Sequence, residues 1–241
     1  MNGIKAFQAV HWMSHPAEQS VLTQLGVHYG FVDLSQSAAK TDLLKTMHHV
    51  RQVHGSTIVA AEQEATGPSV QDSLRPEADG LYVCEPGLRI AIKTADCLPL
   101  LLCTATKSAA MVLHAGWRGI CAGIVSKGVQ HLRKISGEEK VCVVLGPSIC
   151  GFHYEVGPEL VEALLTKESG LADSKDIGLC LQKGRTDRWQ LDIASAALLI
   201  LLEEGVEPQH ISVLSSCTYD KWSSYRRDGI KSGRVWSYLS L

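Results

Sequence analysis

The sequence predicts an α+β domain with mixed sheets. Eight short β-like runs recur along the chain, at 56–61, 80–84, 88–93, 98–103, 109–114, 141–145, 211–214 and 235–239. Helical patterns lie between them without a strict βαβ alternation, which disfavours a doubly wound fold. Composition allows a packed core: of 241 residues, 45% are apolar and 20% charged, and a chain of this size buries a core without staples. With no internal repeat, low-complexity tract or linker, one domain over residues 1–241 is expected.

The helices follow in order. Ile120, Ile124, Val125, Val129 and Leu132 form an apolar stripe at helical spacing. Pro158 suits the first turn of a helix whose stripe is Leu160, Val161, Leu164 and Leu165, with Gly170 as its stop. Asp192 reads as the N-cap of a helix over 193–204, with Gly205 just past its end. Residues 62–77, with Gly67, Pro68, Ser69, Asp72, Ser73 and Pro76, read as a surface loop.

Charge and cysteine content exclude several classes. The net charge is −2, from 23 basic and 25 acidic residues, which argues against a protein built to coat nucleic acid. The longest apolar stretch, 193–202, is too short to span a bilayer, and residues 1–16 lack the apolar core of a signal peptide. A cytoplasmic setting without a membrane partner is expected. The eight cysteines contain no CxxC pair, so a disulfide framework is not indicated. Most of them should behave as small buried hydrophobes.

The chemistry concentrates in residues 93–119, KTADCLPLLLCTATKSAAMVLHAGWRG. Two apolar strands flank a polar turn, the pattern of a β-hairpin. A turn centred between Ala105 and Thr106 sets Cys97 directly opposite His114, with Cβ atoms about 4.5–5.5 Å apart, close enough to share a metal or a proton. His54, followed by Gly55 at the start of another strand, supplies a third donor. A His/Cys/His set leaves one tetrahedral position of zinc open, as catalytic zinc sites do. The bland alternative is a buried cysteine beside two hydrogen-bonded histidines. In His114-Ala115-Gly116-Trp117-Arg118-Gly119, the glycines at a strand-to-helix turn suggest an anion site at a helix N-terminus. Arg118 would add a bidentate contact, and Trp117 a stacking face.

The remaining features read as structural. His48-His49 lies in a polar stretch and is expected to be solvated; His11, His15, His28 and His131 show no partner pattern. His153, after the turn that runs from Gly146-Pro147 to Gly151, is a candidate to line a cleft. Residues 224–228, Ser-Tyr-Arg-Arg-Asp, read as a salt-bridged surface loop or as one that aims an arginine into the site.

Taken together, these segments resemble a known family. His54-Gly55, Thr94-Ala95-Asp96-Cys97-Leu98-Pro99, the HAGWRG segment at 114–119, Leu145-Gly146-Pro147, Tyr154-Glu155-Val156, Cys217-Thr218 and Ser224-Tyr225-Arg226-Arg227-Asp228 occur in the order seen in the YfiH-type family. That family carries the older labels laccase-domain protein and polyphenol oxidase. The resemblance runs from about Val50 to the C-terminus. It implies a four-layer α/β/β/α sandwich, and a metal, usually zinc, on His54, Cys97 and His114, with copper as a possible occupant. It implies phosphorolysis of adenosine, inosine, guanosine and methylthioadenosine, together with adenosine deamination. The partners would be a small-molecule nucleoside and phosphate, in a monomer or small homo-oligomer. Asp96, Arg118 and Arg226 are then the expected substrate-side residues.

Residues 1–50 depart from the family pattern. Val27-His28-Tyr29-Gly30-Phe31 matches its lead-in, but no arginine precedes Arg51. Arg118, Arg226 and Arg227 are the candidates to compensate. Three other readings compete: a Cys97–His114 amidase editing peptidoglycan precursors, a copper polyphenol oxidase, and a non-enzymatic binding module. Against the oxidase stands the absence of the paired H-x-H ligands that multicopper chemistry needs.

Overall fold

A computed structural model describes residues 3–15, 19–36 and 41–241. In chain order its strands are β1 (His11–Met13), β2 (His28–Asp33), β3 (Met47–His48), β4 (Ile58–Ala60), β5 (Gly80–Val83), β6 (Arg89–Thr94) and β7 (Leu98–Thr104). They continue with β8 (Ala110–Ala115), β9 (Val141–Leu145), β10 (Glu155–Val156), β11 (Leu181–Lys183), β12 (Trp189–Leu191), β13 (Ile211–Leu214) and β14 (Val235–Ser240). All eight sequence-predicted runs are strands. Six strands were not predicted: β1, β3, β10, β11 and β12 have two or three residues each, too few to show a period, whereas the six-residue β2 was missed because His28, Tyr29 and Gly30 at its start give no apolar run.

Of the two sheets that pack on each other, the larger has seven strands in the order β1-β13-β9-β7-β8-β5-β4 and the smaller four in the order β2-β14-β6-β3; a separate three-stranded sheet runs β10-β12-β11. Both mix parallel and antiparallel pairs. The centre of the large sheet is covered on both faces, and its strands alternate between two cores. Leu98, Leu100, Leu102, Met111, Leu113, Val143 and Leu145 face helices Ile124–Ser136 and Ile193–Glu203. Leu101, Cys103, Ala110, Val112, Cys142 and Val144 face Ile90, Ile92, Val235 and Leu239 of the smaller sheet. Each strand satisfies two partners because its side chains point alternately up and down.

The caps match the expectation from sequence. The Asp192 side chain accepts from Ser195 N at 3.0 Å, and Gly205 takes φ +74°. Pro158 occupies the first turn of helix Pro158–Leu164.

The fourth layer is thin among the described residues. The outer face of the small sheet, with Val32, Met47, Ala91, Trp236 and Tyr238, is covered by Leu34, Leu43 and Leu44 around the one-turn helix Thr41–Leu44. Two cations complete the cover: Arg89 lies 5.6 Å from the Tyr238 ring centre and Lys93 5.5 Å from that of Trp236.

Three expectations need correction. The hairpin pairs Pro99, not Cys97, with His114, because the connection is a four-residue loop with Lys107 at φ +62°. Slippage of two residues preserves the face, so Cys97 still approaches His114 from just before the strand. The pair His48-His49 is not solvated: His48 is buried with Nδ1 3.2 Å from Thr66 Oγ1, and His49 packs edge-on to Trp236. Residues 62–77 are more ordered than a surface loop, since buried Arg75 donates to the carbonyls of His49, Thr66 and Val70.

Candidate active site

His54, Cys97 and His114 converge. Their donor atoms all lie within 4.8 Å of one another. His114 comes from the end of β8, Cys97 from the turn before β7, and His54 from a loop four residues before β4, not from a strand start. Two of these turns use backbone conformations that few L-residues adopt: His54 has φ +61° and Asp96 has φ +89°.

A residue that sequence reasoning missed holds the group together. Asp79 is fully buried. Its Oδ1 accepts from His54 N at 2.9 Å and from His114 Nδ1 at 2.7 Å. Its Oδ2 accepts from Gly55 N at 2.6 Å and Val53 N at 3.3 Å. One carboxylate therefore shapes the loop that presents His54 and orients the His114 ring, leaving Nε2 of His114 toward Cys97. The signal was chemical rather than positional, because a ligating histidine usually gives its other N–H to a carboxylate. The nearest candidate, Asp79, stood just before a predicted strand.

The electrostatics follow. Burial raises the Asp79 carboxyl, but the hydrogen bonds from His114, Gly55 and His54 outweigh it and hold the group below its ordinary range. Burial lowers the His114 imidazole, but Asp79 and Cys97 lift it to about 9. Burial raises the Cys97 thiol, but hydrogen bonds and charge from His114 and His54 bring it down to about 6. The site stabilises a thiolate at neutral pH. Two imidazoles and a thiolate, with a carboxylate fixing one tautomer, fit a zinc-like cation with an open position. The set also forms a Cys–His–Asp arrangement.

The HAGWRG glycines serve close packing rather than an anion nest. The helix they open, Trp117–Cys121, has five residues. A Cβ on Gly116 would stand 3.0 Å from Cys97 Sγ and 3.4 Å from His54 Cδ2; one on Gly119 would stand 2.9 Å from the Gly55 carbonyl.

The three donors open on a cavity of about 650 Å³. Arg51, Lys93, Arg118, Arg226 and Arg234 line it against Asp72 and Asp96, with Trp117, Tyr154 and Tyr225 as aromatic walls. Arg118 lies 4.3 Å from the Trp117 ring centre and Arg226 5.1 Å from that of Tyr154. Arg226 also donates to the Glu155 carbonyl at 3.2 Å. Asp96 lines the cavity with both oxygens engaged, accepting from Thr218 Oγ1 at 2.6 Å and Arg226 N at 2.6 Å. It ties the hairpin entry to the C-terminal segment. Arg227 does not line the cavity; it pairs with Asp228 and donates to the Trp222 and Tyr219 carbonyls. Sequence reasoning passed over Arg51, Lys93 and Arg234, which sit on separate elements.

The expectation that most cysteines are small buried hydrophobes holds only for Cys103, Cys142 and Cys180. Cys84 is exposed, and Cys150 and Cys217 gather around His153.

The chain is similar to several known proteins. The family model described as multi-copper polyphenol oxidoreductase laccase matches residues 33–241. Purine nucleoside phosphorylase YfiH of Escherichia coli is 34% identical over 195 residues, covering 80% of this chain and 72% of that protein. Adenosine deaminase RL5, from an unknown prokaryotic organism, is 29% identical over 196 residues, covering 78% and 72%. The crystal structure of YlmD from Geobacillus stearothermophilus superposes with a TM-score of 0.74 at 28% identity, covering 82% of this chain and 74% of that one. With the model spanning most of the sequence and the fold shared, the chain belongs to the YfiH-type, laccase-domain family.

Proposed function

We propose that the chain is a metal-dependent purine nucleoside phosphorylase acting on adenosine, inosine, guanosine and methylthioadenosine, with adenosine deaminase activity, and that zinc sits on His54, Cys97 and His114. One observation carries the reading: a His/Cys/His donor set opens on a cavity that joins five cations to three aromatic side chains. The names of similar proteins, a purine nucleoside phosphorylase and an adenosine deaminase, support it.

The residues divide the work. Arg226 and Arg118, each braced on an aromatic ring, offer planar donors to phosphate. Arg51, Lys93 and Arg234 add positive potential that draws the anion in and favours charge transferred to it. Trp117, Tyr154 and Tyr225 provide faces for a purine. Asp96 positions the Arg226 backbone, so the phosphate site and the donor set keep a fixed separation. When bound, zinc supplies Lewis acidity beside the substrate. Asp79 keeps the His114 proton on Nδ1, directing the other nitrogen at the metal.

The test is incubation of zinc-loaded protein with adenosine and phosphate. Adenine with ribose-1-phosphate, and inosine, should form above the level of a Cys97→Ala control. No product above that control would refute the reading. A second reading has specific support: Cys97, His114 and Asp79 also make a thiolate–imidazole–carboxylate triad suited to amide hydrolysis. Retention of a hydrolytic activity after chelation, with loss on alkylation of Cys97, would select it.

A further inference from the structure

Cys150, His153 and Cys217 form a second donor set outside the cavity, with all three donor atoms within 4.8 Å of one another and each side chain half-buried. Cys150 and His153 lie three residues apart across the turn Gly151–His153. Cys217 caps helix Thr218–Lys221 from a different part of the chain. His153 Nδ1 faces both sulfurs, 3.3 Å from Cys150 Sγ and 3.5 Å from Cys217 Sγ. One ring nitrogen has a single proton or a single lone pair, so hydrogen bonds to both sulfurs would have to share it in a bent three-centre arrangement. A metal explains both. With zinc bonds of about 2.3 Å to sulfur and about 2.05 Å to nitrogen, the tetrahedral edge between the two is about 3.6 Å.

The ring is also fixed as a ligand's ring would be. It stacks on Tyr219 at 4.2 Å and 10°. Its far nitrogen, Nε2, lies 3.9 Å from Asp220 Oδ1, beyond hydrogen-bond distance but within reach of charge attraction. Each donor adjoins a residue that builds the cavity. Ile149 and Tyr154 line it, and Thr218 donates to Asp96.

We propose that Cys150, His153 and Cys217 bind a thiophilic divalent cation of the zinc type, which clamps the loop after β9 to the C-terminal segment and so braces the cavity wall. Binding is coordination without redox change: the two thiols lose their protons to solvent, both sulfurs bind as thiolates, His153 binds through Nδ1, and water completes the shell.

Cobalt(II) is the probe, because thiolate ligation gives it a near-ultraviolet charge-transfer band. In a Cys97→Ala variant, which lacks the thiolate of the first site, the band should appear on titration and disappear when Cys150→Ser and Cys217→Ser are added. In the otherwise native chain, Cys150→Ser with Cys217→Ser should lower the cobalt content by one ion per chain and leave a weaker band from Cys97. A Cys97→Ala protein with no thiolate band would overturn the proposal. So would an unchanged cobalt content in the double serine variant, or a Cys150–Cys217 disulfide in protein purified without oxidant. The readout is independent of nucleoside turnover, so its failure and the failure of the proposed activity are separate results.

Discussion

Replacing Asp79 by asparagine keeps the size of the side chain and removes its charge and one acceptor oxygen. The buried carboxylate accepts four hydrogen bonds, two on each oxygen. In Asp79→Asn, one oxygen becomes an NH2 group and meets donors. With that NH2 at the Oδ2 position, Gly55 N and Val53 N lose their acceptor and the His54 loop is released. With it at Oδ1, His114 Nδ1–H and His54 N lose theirs. Either orientation removes support from a metal ligand. Two bonds to a charged acceptor are lost, at roughly 1.5–3 kcal/mol each, so folding stability should fall by at least about 3 kcal/mol. Loss of a carboxylate behind a ligating histidine weakens metal binding roughly 10- to 100-fold, about 1.4–2.7 kcal/mol. The assay is competition for zinc against a chromophoric chelator, on variant protein shown to be folded by circular dichroism. Zinc affinity within threefold of the parent protein, with the fold intact, would refute the role given to Asp79.

Three further outcomes are expected. Gly116→Ala places a methyl group 3.0 Å from Cys97 Sγ, so zinc affinity in the same competition should fall about tenfold while secondary structure is retained; unchanged affinity would show that the site gives way freely. Arg226→Ala should raise the KM for phosphate by about tenfold or more, whereas Arg227→Ala should lower the melting temperature and leave that KM near its parent value; the reverse pattern would exchange their roles. His49, whose side chain is 12% exposed, is held down at about 4 by burial and by the charges of Lys93 and Arg75. The unfolded chain takes up this proton near 6.5 and the folded chain only near 4, so the unfolded state binds more protons between those values. This contribution to stability is complete above about pH 6.5 and declines as pH falls through that window, by up to about 3 kcal/mol. Urea midpoints at pH 7 and pH 5 should therefore differ less in His49→Gln than in the parent, and equal differences would count against the assignment.

Most of the large sheet was legible because its central strands are apolar runs bounded by turns; in the small sheet only β6 and β14 were, since β3 has two residues and β2 opens on His28, Tyr29 and Gly30. The hairpin was legible in kind but not in register: its loop has no glycine at the left-handed position, which Lys107 fills, so the turn could not be centred from composition. The error was harmless to the site because a two-residue slip returns each side chain to its own face. The donor set His54, Cys97 and His114 was readable because each sits beside a recognisable turn. Asp79 was not, since it acts on backbone and ring atoms 24 to 35 residues away. Arg51, Lys93 and Arg234 were hidden for the same reason, since they follow β3, lie in β6 and precede β14, and meet only when those three strands pair. Cys217 reaches His153 across 64 residues, and no spacing rule connects them.

The position of β14 has a consequence for how the molecule comes into being. This strand lies between β2 and β6, pairing Ser240 with both His28 and Arg89, so the small sheet has no continuous centre until the last described strand has been synthesised. The large sheet can pair β7, β8 and β9 much earlier, from neighbouring segments of chain. Arg226 and Arg234 immediately precede β14. During translation the donor set can therefore approach its geometry well before the cavity has its full complement of cations. Pairings across more than two hundred residues, such as Ser240 with His28, are slow to close, so the small sheet should complete after the centre of the large one.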